Sequence, residues 1–311
     1  MSLPDEYMQY PHRSYGMDHD RYDWSLLGDR KPVQWPDVYR LAVWINVSLQ
    51  FFPLNQEGKP FPPPGGMTMP YPDLRHFTLR DYGNRVGIYR VLEALDRYGL
   101  RATFAVNGQV AERAAPLLRT ITERGDEVLG HGWNMDSPHY GGLDERVEQS
   151  LVTRTLETLR DATGQPVRGW LSPGRNESER TPELLVDNGI DYFCDWVNDD
   201  MPYPFRTDSG PLTALPLSTE LEDRFVVMNN LHSEQSWCEQ VCDACDMLLR
   251  ESDTQGGRLL AISLHPWLIG QPHRIGKLET ALEYISSRAG IWNASAADIV
   301  DAWRDQQEPD A

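Results

Sequence analysis

No stretch of the 311-residue sequence approaches the roughly 20 consecutive apolar residues that a membrane span needs. The opening residues, Met1-Ser-Leu-Pro-Asp-Glu, lack the basic and then apolar pattern of a secretory signal, so a soluble cytoplasmic protein is expected. Positive charge is also scarce, with 29 Lys and Arg against 47 Asp and Glu and a formal net charge of -18. Such a chain repels phosphate backbones and anionic lipids, which excludes nucleic acid and membrane surfaces as expected partners. A small neutral substrate, and self-association into a homo-oligomer, remain.

Cysteine is sparse too. There are four, and Cys238, Cys242 and Cys245 have the C-x3-C-x2-C spacing of an iron–sulfur site. That chemistry needs an open loop, whereas the segment from Ser236 reads as a helix with a capping box of Ser236 and Glu239. On a helix the three thiols share one face with Val241, Leu248 and Leu249, a core stripe of small hydrophobes. Disulfides are not expected in a reducing compartment. No cofactor is read from these residues.

What is present is a regular alternation of strands and helices. Leu41 to Val47, Ala102 to Val106, Val128-Leu129, Val167 to Leu171, Asp191 to Cys194 and Leu259 to Leu264 are short apolar runs of the buried-strand kind. Shorter strands are expected at Leu212 to Pro216, Phe225 to Met228 and Gly290 to Asn293. Helices are expected at Asn84 to Tyr98, Ala111 to Glu123, Asp144 to Thr163, from Thr181, and at Lys277 to Ser286. The fold class is therefore α/β: a single irregular (β/α) barrel of about seven mostly parallel strands. Residues 1–38 read as an N-terminal arm on the body, residues 39–305 as the barrel domain and residues 306–311 as a tail. A long proline-rich loop follows the first strand, with the triplet Pro62-Pro63-Pro64, and loops of that length are usually binding walls or lids.

The candidate chemistry is centred on Glu127 to Tyr140. A buried strand stops at Gly130 and its exit loop begins with His131. The same design recurs at Leu259–Leu264 followed by His265-Pro266. Ligands of parallel α/β folds sit at carboxyl ends of strands, so both histidines are placed for proton transfer at one barrel mouth. Either could equally be a satisfied histidine holding a loop.

Thr103-Phe-Ala-Val-Asn-Gly, Gly130-His-Gly, Arg168-Gly-Trp and Leu264-His-Pro at successive strand ends resemble the polysaccharide deacetylase (NodB-homology) superfamily. Further phrases resemble its branch containing the metal-independent allantoinase: Asp81-Tyr-Gly-Asn-Arg-Val-Gly-Ile-Tyr-Arg, Gly169-Trp-Leu-Ser-Pro-Gly-Arg, Cys194-Asp-Trp-Val-Asn-Asp-Asp-Met-Pro-Tyr and His265-Pro-Trp-Leu-Ile-Gly-Gln-Pro-His-Arg. The resemblance runs from about residue 10 to about residue 300 and implies a (β/α) barrel. Metal-dependent members carry Asp-x-Asp after the first strand and two histidines four apart. This chain has Asn46-Val47-Ser48, and His131 with Met135. A catalytic zinc needs three protein ligands, so no metal is expected, with His131, Asp136 and His139 as the substitute set to examine. Where the allantoinase branch has carboxylates just past the first strand, Gln50 and Phe51 stand here.

Opening an amide without a metal requires a base for water, donors for the oxyanion and an acid for the leaving nitrogen. His131 and His265 are the expected proton carriers, with Asp195 orienting one imidazole. Ser48, Gln50 and Asn134 suit the edge of a neutral cyclic amide, and Arg175 with Glu177 a polar substituent. Trp133 and Trp170 are expected as flat walls, and His232 at the rim. The expected function is hydrolysis of a small cyclic amide such as an allantoin, hydantoin or imide. A metal-dependent N-deacetylase of amino-sugar polymers and a non-catalytic binding protein on a degenerate barrel are the alternatives.

Overall fold

The computed structural model describes residues 19–56 and 74–307. The start of the expected arm, the Pro62-Pro63-Pro64 triplet and the end of the expected tail lie outside the described residues. Among those described, nine strands form one sheet: β1 (Leu41–Leu49), β2 (Thr103–Val106), β3 (Glu127–Gly130), β4 (Gly169–Trp170), β5 (Tyr192–Phe193), β6 (Tyr203–Thr207), β7 (Gly210–Ala214), β8 (Arg258–Leu264) and β9 (Ile291–Asn293). The order is β6-β7-β5-β4-β3-β2-β1-β8, with β9 also on β1. Only β6 and β7 pair antiparallel.

The helices are α1 (Leu74–Tyr82), α2 (Ile88–Arg97), α3 (Gly108–Arg113), α4 (Ala115–Glu123), α5 (Glu145–Thr163), α6 (Thr181–Asp187), α7 (Glu234–Gln255), α8 (Pro266–Ile269), α9 (Ile275–Ser286) and α10 (Ala296–Arg304). Most of them cover the outside of the curled sheet, while α10 packs with its inward-facing residues, and the whole is the (β/α) barrel the sequence implies.

Period-two alternation explains how one strand serves two cores. Leu41, Val43, Ile45, Val47 and Leu49 of β1 join the outer core with Phe104, Val106, Val128, Trp170, Leu260, Ile262 and the helices. Ala42 and Trp44 face inward with Ala105, Leu129, Cys194, Leu259 and Ala261. With both faces buried, β1 and β8 read as unbroken apolar runs. Two residues further along the same inward face come Asn46 and Ser48 after Trp44, His131 after Leu129, and Ser263 and His265 after Ala261. The barrel interior thus turns from apolar to polar toward its carboxyl end.

Three local features support this mouth. Residues 83–87 form a single widened turn between α1 and α2, a π-turn of the kind often found at functional sites. There Gly87 lies against the Pro266 carbonyl so closely that a Cβ would sit 2.0 Å from it, which seats the helix directly on the turn after His265. Near the β8 edge, Gly257 N–H donates to Val33 O and Trp35 Nε1 to Arg258 O at 2.7 Å, so the N-terminal segment covers part of an otherwise open edge.

Two expectations are corrected. Phe225–Asn229 is a π-helical turn, not a strand, because four apolar residues in a row carry no period and this run buries only Val226 and Val227. The cysteine helix α7 begins earlier, capped by Ser233, whose hydroxyl accepts from Ser236 N–H at 3.1 Å. Cys238 and Cys245 are buried in it and Cys242 is half-buried, as the helical stripe requires.

Candidate active site

His131 leaves β3 and His265 leaves β8, and both side chains are buried. Their environments differ. His131 Nδ1 lies 2.6 Å from Leu171 O, and a carbonyl only accepts, so Nδ1 carries the proton and Nε2 presents its lone pair. Gln50 Nε2 donates to that lone pair at 3.2 Å. Burial, opposed by the Leu171 bond but helped by the nearby His265 and Arg175, pulls the His131 pKa down to about 4. The ring is therefore neutral at pH 7.

His265 is held by a carboxylate instead. Asp223, fully buried, accepts its Nδ1–H at 2.7 Å and its backbone N–H at 2.8 Å. Nε2 is left facing the interior, 4.0 Å from Glu222 Oε1. Glu222 is itself buried and receives Arg175 Nη1 at 2.7 Å and Arg224 Nε at 2.6 Å. Burial would raise its pKa, but His265, Arg175 and Arg224 together bring it down to about 2. Burial raises Asp223, and the bonds from His265 only partly offset it.

The loops are tied by buried amides and hydroxyls. Asn107, at the end of β2, donates to the His131 carbonyl and accepts from Phe51 N–H at 2.8 Å, so one side chain fixes the loops after β1 and β3. Asn84, on the widened turn, donates to Gln50 O at 2.8 Å. Asn46 Nδ2 donates to Ser48 Oγ at 3.2 Å and Ser263 Oγ at 3.4 Å, a polar layer beneath the histidines.

The structure brings His131, His265, Gln50, Ser48, Asp195 and Arg175 to this end of the barrel and places the others differently. Asp195 orients no imidazole: its Oδ1 accepts from Ser172 N–H at 2.7 Å, and Asp223 does the work expected of it. Arg175 pairs with Glu222, while Glu177 accepts from Trp196 Nε1 at 2.8 Å, so the two do not act as one clamp. Asn134 is spent within its own loop region, donating to Gln109 Oε1 and accepting from Asp136 N–H, both at 2.9 Å. Trp133 is buried beside Gly108 under Arg154, whose guanidinium sits 3.5 Å from the ring centre. Trp170 lies on the outer face of the sheet and donates to Ser172 Oγ at 2.9 Å. Neither indole is a wall of the mouth. His232 is exposed. A cleft of about 550 Å³ lined by Phe51, Asn84, Gln109 and Arg113 opens beside Gln50 without including either histidine. Asp223 and Glu222 were not signalled by any spacing in the sequence, and Asn107 and Ser172 stood within the strand-end phrases without being singled out.

The sequence model of the polysaccharide deacetylase family matches residues 79–193, the span that carries β2 to β5 and the His131 loop. A Schizosaccharomyces pombe protein named as a polysaccharide deacetylase is 25% identical over 257 residues, covering 76% of this chain and 79% of that one. The peptidoglycan deacetylase of Helicobacter pylori is 23% identical over 252 residues, covering 71% and 84%. The crystal structure of PuuE allantoinase superposes with a TM-score of 0.82 at 24% identity, covering 92% of this chain and 98% of that one. The chain is similar to the polysaccharide deacetylase (NodB-homology) superfamily over the matched span and shares its fold with PuuE allantoinase.

The metal that superfamily resemblance raises can be tested on the donors. Ser48 and Met135 offer a hydroxyl and a thioether where carboxylate and imidazole are needed, and the His131 lone pair is already taken by Gln50. The substitute set does not assemble: His139 turns its Nδ1 to Glu148 Oε1 at 3.0 Å, with its ring edge-on to Trp170. Among the described residues no three His, Cys, Asp or Glu side chains converge on a point. The donor set does not fit a divalent ion.

Proposed function

We propose that this chain hydrolyses the carbon–nitrogen bond of a small, neutral cyclic amide without a metal ion. The observation that carries this reading is the Asp223–His265 couple, whose Nε2 faces a mouth shared with a neutral His131. Asp223 fixes the proton on Nδ1, so Nε2 is the atom that exchanges protons with substrate and water. It takes a proton from water as the oxygen bonds to the carbonyl carbon, then returns it to the ring nitrogen as the carbon–nitrogen bond breaks. With its pKa near 4, His131 is neither the acid nor a strong base. Its role in this scheme is to hold Gln50, whose remaining amide groups can meet the edge of a cyclic amide.

The charge balance supports an uncharged substrate. Glu222, Asp223 and Asp195 face Arg175 and Arg224, which leaves one negative charge before His265 takes the proton from water and disfavours an anionic substrate. A screen of purified protein against allantoin, hydantoins and imides, with and without chelator, tests the reading. Ring opening unaffected by chelator is expected. About one equivalent of tightly held transition metal per chain would overturn the metal-free scheme. The second reading, an N-deacetylase, is favoured by the deacetylases among the relatives; acetate release from N-acetylated amino sugars with no ring opening would select it.

A further inference from the structure

Two carboxyl groups on either side of the Arg175 segment each keep a buried oxygen that no donor reaches. Asp195 Oδ2 and Glu177 Oε1 are both buried and without a hydrogen-bond partner. The other oxygen of each is satisfied, Asp195 Oδ1 by Ser172 N–H at 2.7 Å and Glu177 Oε2 by Trp196 Nε1 at 2.8 Å. The two side chains are within hydrogen-bonding reach of each other. Two carboxylates only accept, so a bond between these groups requires a proton on one of them.

The segment they enclose is strained. Gly174 and Arg175 have φ of 66° and 55°, and a left-handed arginine persists only when its surroundings hold it. Its guanidinium reaches Glu222 and Leu217 O, which places its charge beside His265. We propose that Glu177 and Asp195 share one proton, held on Glu177 with the charge on Asp195, and that this proton latches residues 172–177 so that Arg175 stays on Glu222. Glu177 is then a positioning residue acting through Arg175. Only the consequence for rate rests on the reading of His265 as the reacting group.

The neighbouring groups agree with this division. Burial and the Asp195 charge hold Glu177 well above the ordinary carboxylate range, with Arg21 opposing. Burial raises Asp195 to about 6, moderated by Ser172, Arg175 and Glu177. Arg21 is committed elsewhere, to Glu183 at 2.5 Å and to the Glu179 and Arg206 carbonyls. The other titratable groups facing the pair are Cys194 and Tyr203, both raised by burial and so uncharged at neutral pH.

A group whose folded pKa is raised gives stability that is complete below its unfolded value and lost as pH rises through the folded one. The latch is therefore lost on the alkaline side, whereas the amide of Glu177→Gln donates to Asp195 at every pH. Infrared spectra of the intact protein with carbon-13 glutamate test this without a substrate or a variant. A protonated glutamic acid carbonyl band at pH 7 is expected; its absence overturns the proposal. Melting temperatures of wild type and Glu177→Gln from about pH 5 to 9 give the second measure. Wild type should fall relative to the variant as pH rises, and a constant offset overturns the latch. Once a substrate is found, the alkaline limb of the wild-type kcat/KM profile should move to higher pH in Glu177→Gln. These outcomes do not depend on which amide is cleaved, so a failed substrate screen and a failed latch are separate results.

Discussion

His131 and His265 look alike in the sequence and are chemically opposite in the structure. Each follows an inward-facing strand and enters the same barrel mouth. The difference lies in what faces Nδ1. A neutral backbone carbonyl, Leu171 O, serves His131, whose buried ring is kept uncharged. A buried carboxylate, Asp223, serves His265, with a second, Glu222, near its other nitrogen. A histidine's role is thus fixed by the group across the cavity and not by its place on the strand.

The largest expected effect comes from removing the charged side of the comparison. With a cleaved amide in hand, His265→Ala should lower turnover by on the order of a hundredfold or more, as loss of a general acid–base group does. Asp223→Asn should lose a comparable factor while keeping the fold, because the amide no longer dictates the tautomer. Circular dichroism of each variant confirms folding. Near wild-type turnover in His265→Ala would transfer the proton work elsewhere.

Converting one side into the other gives the next largest effect. Gln50→Glu places a carboxylate on His131 Nε2 and should raise the His131 pKa from about 4 by roughly 1 to 3 units. Titration of the imidazole by NMR measures it. An unchanged value would mean that burial alone governs this ring.

How far the two sides were legible follows from where their determinants lie. β1 and β8 were readable because burial on both faces writes an unbroken apolar run, and His131 and His265 because they stand where such runs stop. Asp223 was not readable. It lies 42 residues from His265, in an acidic stretch whose usual fate is solvent, and only the curl of the sheet brings the pair together. Trp170 misled for the converse reason. On a two-residue strand the inward or outward choice is set by pairing with Gly130, where a Cβ would meet the indole at 2.5 Å, and no local pattern reveals it. The matched family segment, residues 79–193, contains His131 but neither Asp223 nor His265.

Acid titration separates the two sides by stability. His131 has a depressed folded pKa, so its contribution is present above its ordinary 6.5 and is lost as pH falls through about 4. A shift of that size corresponds to about 3 kcal/mol. Glu222, depressed from 4.5 to about 2, loses its contribution later, as pH falls from about 4.5 through about 2. Urea unfolding of wild type should therefore weaken first between about pH 6.5 and 4, and His131→Gln should remove that first loss and leave the second. Equal pH dependence in both proteins would contradict the neutral assignment of His131.

The smallest expected effect lies away from the mouth, on the cysteine helix, and limits the comparison to the groups named. Cys242 is half-buried against the outer core, and burial with the adjacent Cys238 raises its thiol pKa to about 12, so it is neither a ligand nor a nucleophile at neutral pH. Cys242→Ala removes one small packed group and should cost about 1 kcal/mol. The pKa of His131 and the turnover per folded molecule should stay at their wild-type values, because α7 meets the barrel through its outer face while both histidines project inward. A shift in the His131 titration of this variant would show that the electrostatic contrast reaches through β8 and is not made at the mouth. Colour from bound iron in anaerobically purified wild type would instead return the three cysteines to the cluster chemistry that their helical packing argues against.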